Sequence, residues 1–219
     1  VNHMAMEYVK RLIQLNIGLF LYALGVYVCI QANIGLAPWE AFHMGFSFIT
    51  GVSMGNICII FSILIIGLAL LLKEKIGIGS ILNALIIGVY LDALMLNEVI
   101  PAANNLVVSI ITMIIGIFII ALASYMYIGS AMGCGPRDTL MVALGKRFQK
   151  IPVGAIRGSI EGSVLLIGWF CGAPIGLGTV LYVFGIGYIM QFVFRVLHFD
   201  VKGVQHENVL DTFKIWTGK

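Results

Sequence analysis

From Leu12 to Leu197 the sequence is a succession of apolar runs, each about as long as a bilayer is thick. A hydrocarbon core of roughly 30 Å is crossed by a helix of about 20 apolar residues. The runs at 12–33, 55–72, 80–97, 107–129, 153–172 and 177–197 meet or approach that length. In lipid, such a segment must satisfy every backbone N–H and C=O internally, so each run is expected to be a helix. With 60% hydrophobic residues, 11% charged residues and a mean hydropathy of +1.04, the chain falls outside the range of soluble domains, where about a quarter of residues are charged. The expected fold class is an all-α membrane protein of six transmembrane helices. The first run is longer than a signal-peptide core and is read as a permanent span. Residues Val1 to Met4 read as much like a cloning remnant as native sequence.

The breaks between runs carry turn residues: Lys73-Glu74-Lys75 with Gly77 and Gly79, Asn97-Glu98 to Pro101, and Gly172-Ala173-Pro174 with Gly176. Cytoplasmic loops collect Lys and Arg, and all thirteen such residues can be used to orient the spans. Twelve fall before the first span, after the second, after the fourth or after the sixth, which all lie on one side of an up-and-down path. The thirteenth, Arg157, lies within a span, and the segments 34–54, 98–106 and 173–176 contain no Lys or Arg. Both termini are therefore expected in the cytoplasm.

The chain also repeats itself. At a shift of 98, Gly18, Tyr27, Gly35 and Pro38 fall on Gly116, Tyr125, Gly133 and Pro136, and Glu40 falls on Asp138. At a shift of 99, Gly55, Gly77, Gly79 and Gly88 fall on Gly154, Gly176, Gly178 and Gly187. Matched Gly and Pro weigh more than matched Leu and Ile, because they mark special backbone geometry. Each copy holds three spans, an odd number, so the second must cross in the opposite sense: a 3+3 inverted repeat. The division is a cytoplasmic N-terminus at 1–11, the first repeat at 12–105, the second at 106–197 and a cytoplasmic tail at 198–219. The tail places Val209, Leu210, Phe213 and Trp216 at helical spacing, as in a short amphipathic helix.

After the first span of each copy comes a stretch too short to cross, starting Gly35-Leu-Ala-Pro-Trp-Glu in one and Gly133-Cys-Gly-Pro-Arg-Asp in the other. Pro38 and Pro136 suit the first turn of a helix, and Glu40 and Asp138 suit its positive end. Two readings stand side by side. The segments are interfacial helices with Trp39 as aromatic anchor, or re-entrant half-helices whose starts line a polar cavity.

Ionisable residues within spans are candidate functional groups, because burying one costs about 2.5 to 3.5 kcal/mol on insertion scales. Arg157 and Glu161 sit one helical turn apart and can pair; their counterparts in the first copy are Cys58 and Ser62. Asp92 lies toward the outer half of the third span, with Asn83 and Tyr90 nearby, and its counterpart is Gln191. Tyr27 and Tyr125 are either part of a cavity wall or, as tyrosines at helical spacing more often are, packing residues and interface anchors, and His43 suits an interface. The candidate site thus comprises Pro38, Trp39, Glu40, Asn83, Asp92, Gly135, Pro136, Arg137, Asp138, Arg157 and Glu161. Cys29, Cys58, Cys134 and Cys171 are scattered, with no metal-ligand spacing, and no hydrolase, zinc-protease or phosphate-loop motif occurs. No cofactor, metal, nucleic acid or enzymatic activity is expected; the partners are the bilayer and a small solute, with a homodimer left open.

The segments Asn33-Ile-Gly-Leu-Ala-Pro-Trp-Glu, Thr50-Gly-Val-Ser-Met-Gly, Gly77-Ile-Gly-Ser-Ile-Leu-Asn-Ala-Leu-Ile-Ile-Gly with Asp92, Gly133-Cys-Gly-Pro-Arg-Asp, Arg157 with Glu161, and Gly176-Leu-Gly-Thr cover most of the membrane region. In these the chain resembles the YczE/YyaS-type bacterial integral membrane proteins, relatives of the YitT family. YitT-type proteins usually carry a soluble C-terminal domain that the short tail here does not match. The resemblance implies the bacterial plasma membrane and brings no known substrate. The reading that results is a secondary transporter of a small polar or charged solute, with one of the acids free to carry a proton. A non-transporting membrane regulator or assembly partner, and a channel, are the rival readings.

Overall fold

The computed structural model describes residues 2–200 with 204 and 207, by backbone alone at 2–5 and 153. These residues form eight helices: α1 (Asn2–Gln31), α2 (Pro38–Thr50), α3 (Met54–Leu71), α4 (Ile78–Leu96), α5 (Leu106–Gly129), α6 (Pro136–Arg147), α7 (Val153–Phe170) and α8 (Leu177–Val196). The six helices expected from apolar runs are present, with ends displaced by three residues or fewer except at the start of α1, which runs on through the polar N-terminal segment. Five of them, α1, α3, α4, α5 and α8, are long and apolar enough to cross a membrane. The helix with Arg157 and Glu161, α7, is not among those five. The expected amphipathic tail helix lies outside the described residues.

Several starts are fixed by local chemistry. The Ser53 side chain accepts the Asn56 N–H and that of Asn105 accepts the Val108 N–H, each satisfying a donor that has no partner within the helix. Pro38 and Pro136 open α2 and α6, where a missing N–H costs nothing.

The centre of the molecule is the pair α1 and α5. Gly18 sits on the backbone of Tyr127, and Gly116 sits on Cys29. The two helices therefore run antiparallel, and the absence of side chains at both crossings lets the backbones approach closely. Both contacts are the same contact, since Gly18 and Cys29 map onto Gly116 and Tyr127 at a shift of 98.

The same doubling holds at the helix ends. The Gly178 N–H donates to the Ile34 carbonyl at 2.7 Å, and the Gly79 N–H donates to the Met132 carbonyl at 2.8 Å. The Thr179 hydroxyl donates to the Leu36 carbonyl, and the Ser80 hydroxyl donates to the Cys134 carbonyl. Each clamp thus joins the loop after the first helix of one copy to the start of the last helix of the other. Gly35 (φ +114°) and Gly133 (φ +132°) stand in both clamps in a left-handed conformation, and their missing Cβ leaves room for Gly176 and Thr179 or for Gly77 and Ser80.

Candidate functional site

Helices α2 and α6 are short and begin inside the bundle. Pro38 to His43 are six consecutive buried residues, so α2 has no free face over its first turn and a half. An amphipathic helix lying on a surface exposes one side continuously, and that reading of α2 is therefore corrected. Nor does Trp39 anchor an interface: it packs with Phe42 and His43. His43, expected at an interface, is 2% exposed among Phe42, Phe61 and Trp39.

Between the starts of α2 and α6 lies a cavity of about 370 Å³. Of the eleven residues singled out from sequence, ten line it: Pro38, Trp39 and Glu40 from α2, Asn83 from α4, Gly135, Pro136, Arg137 and Asp138 at the start of α6, and Arg157 and Glu161 from α7. Asp92 does not join them. Its carboxylate accepts the Ser53 hydroxyl at 2.5 Å and the Gly55 N–H at 2.7 Å, where it caps the first turn of α3.

The charges form two groups. In the interior, Arg137 Nη1 donates to Glu40 Oε1 at 3.3 Å, and the guanidinium lies over the Trp39 ring, 4.9 Å from its centroid. The Glu40 side chain is 6% exposed, so its charge is compensated almost entirely by Arg137 and by the positive end of α2. On α7, Arg157 Nε donates to Glu161 Oε1 at 2.8 Å, with side-chain exposures of 52% and 27%. This second pair is the more exposed one. Asp138, on the first turn of α6, accepts the Tyr127 hydroxyl at 3.2 Å.

Of the two roles open to Tyr27 and Tyr125, packing rather than a cavity wall is what the structure shows. The Tyr27 hydroxyl bonds the backbone of Ile100, and Tyr125 packs on Phe199; Tyr90 bonds Asn16. The tyrosines that do line the cavity are Tyr22, Tyr127 and Tyr182, with Tyr22 and Tyr127 in edge contact at 6.1 Å. Cys58 and Ser62 also line it. These two could have been found, because they are the counterparts of Arg157 and Glu161 in the repeat; the tyrosines carried no such signal.

What the site offers chemically is a polar chamber with both signs of charge and the ends of two helices, neither of them capped by a side chain. No group of three or more His, Cys, Asp or Glu that could hold a metal ion occurs among the described residues. The Arg137, Glu40 and Trp39 cluster sits on segments that the family model also spans: a family of unknown function (DUF6198) matches residues 9–195. The chain belongs to that family. It is 33% identical over 177 residues to the uncharacterized membrane protein YczE of Bacillus subtilis (strain 168), covering 80% of this chain and 81% of that one. It is 28% identical to an uncharacterized protein of Haemophilus influenzae, with 83% and 84% covered, and 27% identical to the uncharacterized protein YyaS of Bacillus subtilis, with 77% and 84% covered. The resemblance to YczE/YyaS-type proteins seen in the sequence holds in these matches. No solved structure matches.

Proposed function

We propose that the protein is a secondary transporter of a small polar or charged solute, working by alternating access between two inverted three-helix repeats. The observation that carries this reading is the single chamber formed where the starts of α2 and α6 meet, lined by charged side chains from both copies. Inverted-repeat transporters hold their solute at such a place, where broken helices present their ends near the midplane. The antiparallel α1 and α5 and the two matched clamps support the inverted arrangement. In this reading α7 is also a span, the fifth in chain order, its Arg157 and Glu161 facing the chamber rather than lipid, which is where intramembrane charge is tolerated. The helices α2 and α6 are re-entrant. Both termini lie in the cytoplasm and the protein resides in a bacterial plasma membrane, following the distribution of Lys and Arg.

Arg157 and Glu161 are the residues that meet the solute, because theirs is the more exposed pair on the chamber wall and can be exchanged for contacts to a ligand. Arg137 and Glu40 shape the chamber from its interior end. A membrane regulator without transport would have its charges locked into packed interior; a chamber with a half-exposed arginine argues against it.

The test is a thermal-shift screen of small metabolites on the purified protein, followed by uptake of each hit into proteoliposomes. A stabilising solute should be taken up by the wild type and no longer bound or transported after Arg157→Ala or Glu161→Gln. Normal binding and uptake of that solute by both variants would remove the site assignment.

A further inference from the structure

The two copies differ at one seam. In the first copy, α3 lies against α4 with Gly55 and Gly88 in direct contact, each backbone filling the space a Cβ on the other would need. Asp92, four residues beyond Gly88, fastens this seam through Ser53 and Gly55. In the second copy the corresponding residues are Gly154 and Gly187. A Cβ built on either meets nothing within 4 Å, and the same is true of Gly158 and Gly162 on α7. So α7 and α8 stand apart where α3 and α4 are packed. The chamber borders this gap, lined there by Arg157 and Glu161 from α7 and by Tyr182 and Met190 from α8.

Glycine in a helix interior is unfavourable relative to alanine unless a close approach requires it. On α3 and α4 the requirement is visible. On α7 three glycines recur every fourth residue on one face, and Gly187 waits on α8, with nothing against any of them. The packing that would require Gly154 and Gly187 is already present in the molecule, between Gly55 and Gly88; Gly158 and Gly162 stand where the first copy has Ile59 and Ile63.

We infer that α7 and α8 close on each other in a second state through Gly154 and Gly187, as the image of the α3–α4 seam, and that α3 and α4 then separate by release of Asp92 from Ser53 and Gly55. Asp92 is a positioning residue that sets which seam is shut. The seams are unequal because the counterparts of Asp92 and Ser53 are Gln191 and Pro152: no carboxylate and no hydroxyl are available to fasten the second seam. The state seen here, shut at α3–α4 and open at α7–α8, is the one that Asp92 favours. Its place in a transport cycle rests on the function proposed above, whereas the exchange of seams can be measured without any solute.

The experiment uses protein in nanodiscs with the four native cysteines replaced by serine and a new pair, Pro152→Cys with Gln191→Cys, at the positions matching Ser53 and Asp92, whose side chains touch in the first copy. Oxidation should join the pair within one chain, read as loss of maleimide-polyethylene glycol labelling at monomer mobility. Adding Asp92→Ala removes two hydrogen bonds and should raise the cross-linking rate about tenfold, the equivalent of about 1.4 kcal/mol. Asp92→Asn keeps an acceptor for the Gly55 N–H and should lie between. Gly187→Leu should abolish the cross-link while leaving the melting temperature unchanged, and Gly88→Leu should lower the melting temperature. The inference fails if no intramolecular cross-link forms in either background although each thiol reacts with N-ethylmaleimide, or if the product is a cross-linked dimer. It also fails if Gly187→Leu cross-links as readily as its parent. Cross-linking in a protein that moves no solute would leave the exchange standing and remove the transport reading; transport without cross-linking would do the reverse.

Discussion

The Arg137 guanidinium lies over the ring of Trp39, 4.9 Å from its centroid, and these two residues occupy the same position in the two copies of the repeat. The sequence puts an aromatic ring at this position in one copy and a cation in the other, so the copies meet in a cation–π contact, which two identical residues there would not form. Glu40 then completes the cluster by pairing with the same guanidinium.

Because Glu40 is buried, its removal should leave Arg137 without its ion-pair partner. Glu40→Ala is expected to destabilise the protein by about 2 to 4 kcal/mol, somewhat below the full cost of breaking a buried pair because the Arg137 side chain is 25% exposed. The double variant Glu40→Ala with Arg137→Ala should recover part of that loss. Thermal unfolding of the four proteins in one detergent measures the coupling.

The pair on α7 should behave in the opposite way. Exposed pairs one helical turn apart contribute only about 0.3 to 0.5 kcal/mol. Arg157→Ala is therefore expected to move the melting temperature of the solute-free protein by no more than about a degree or two. The effect should appear only when a solute is present, as a lost stabilisation in the same assay.

Gly35 and Gly133 tolerate no side chain, for reasons of both conformation and space. Gly35→Ala and Gly133→Ala should each cost about 1 to 3 kcal/mol from backbone strain alone. The two losses should be similar, because the clamps are alike. A marked difference in denaturation between them would show that the clamps are not equivalent in strength.

Topology gives a further check. A cysteine introduced at Lys146 should react with a membrane-impermeant maleimide only from the cytoplasmic side, and one at Val52 only from the outside. Both residues are exposed. Labelling of intact cells against inverted vesicles reads the result, and labelling of both from one side would overturn the inverted arrangement.

The helices were legible from sequence because apolar length and Gly or Pro punctuation act locally. The matched glycines of the two clamps were legible for a similar reason: Gly35 and Gly133 both stand at positive φ, a backbone geometry that favours glycine. The gathering of Glu40, Arg137, Arg157 and Glu161 at one cavity was also accessible, since buried charge is rare enough to point inward. Asp92 misled because it follows the same rule for another end, capping α3 instead of facing the chamber. Tyr22 and Tyr127 were missed because they lie five residues from Tyr27 and two from Tyr125 on their helices and so point elsewhere, and only packing says which of each two faces a void. The open seam left no mark in composition: Gly55 and Gly154 read alike, and only the fold distinguishes them.

The crossed clamps bear on how the protein is made. The Gly79 N–H is satisfied by Met132, and the carbonyls of Ile34 and Leu36 are satisfied by Gly178 and Thr179. While the ribosome has delivered only the first four helices, that half holds polar backbone groups whose partners do not yet exist. Neither half is then a finished folding unit, and α8, made long after α1, completes the loop that follows it.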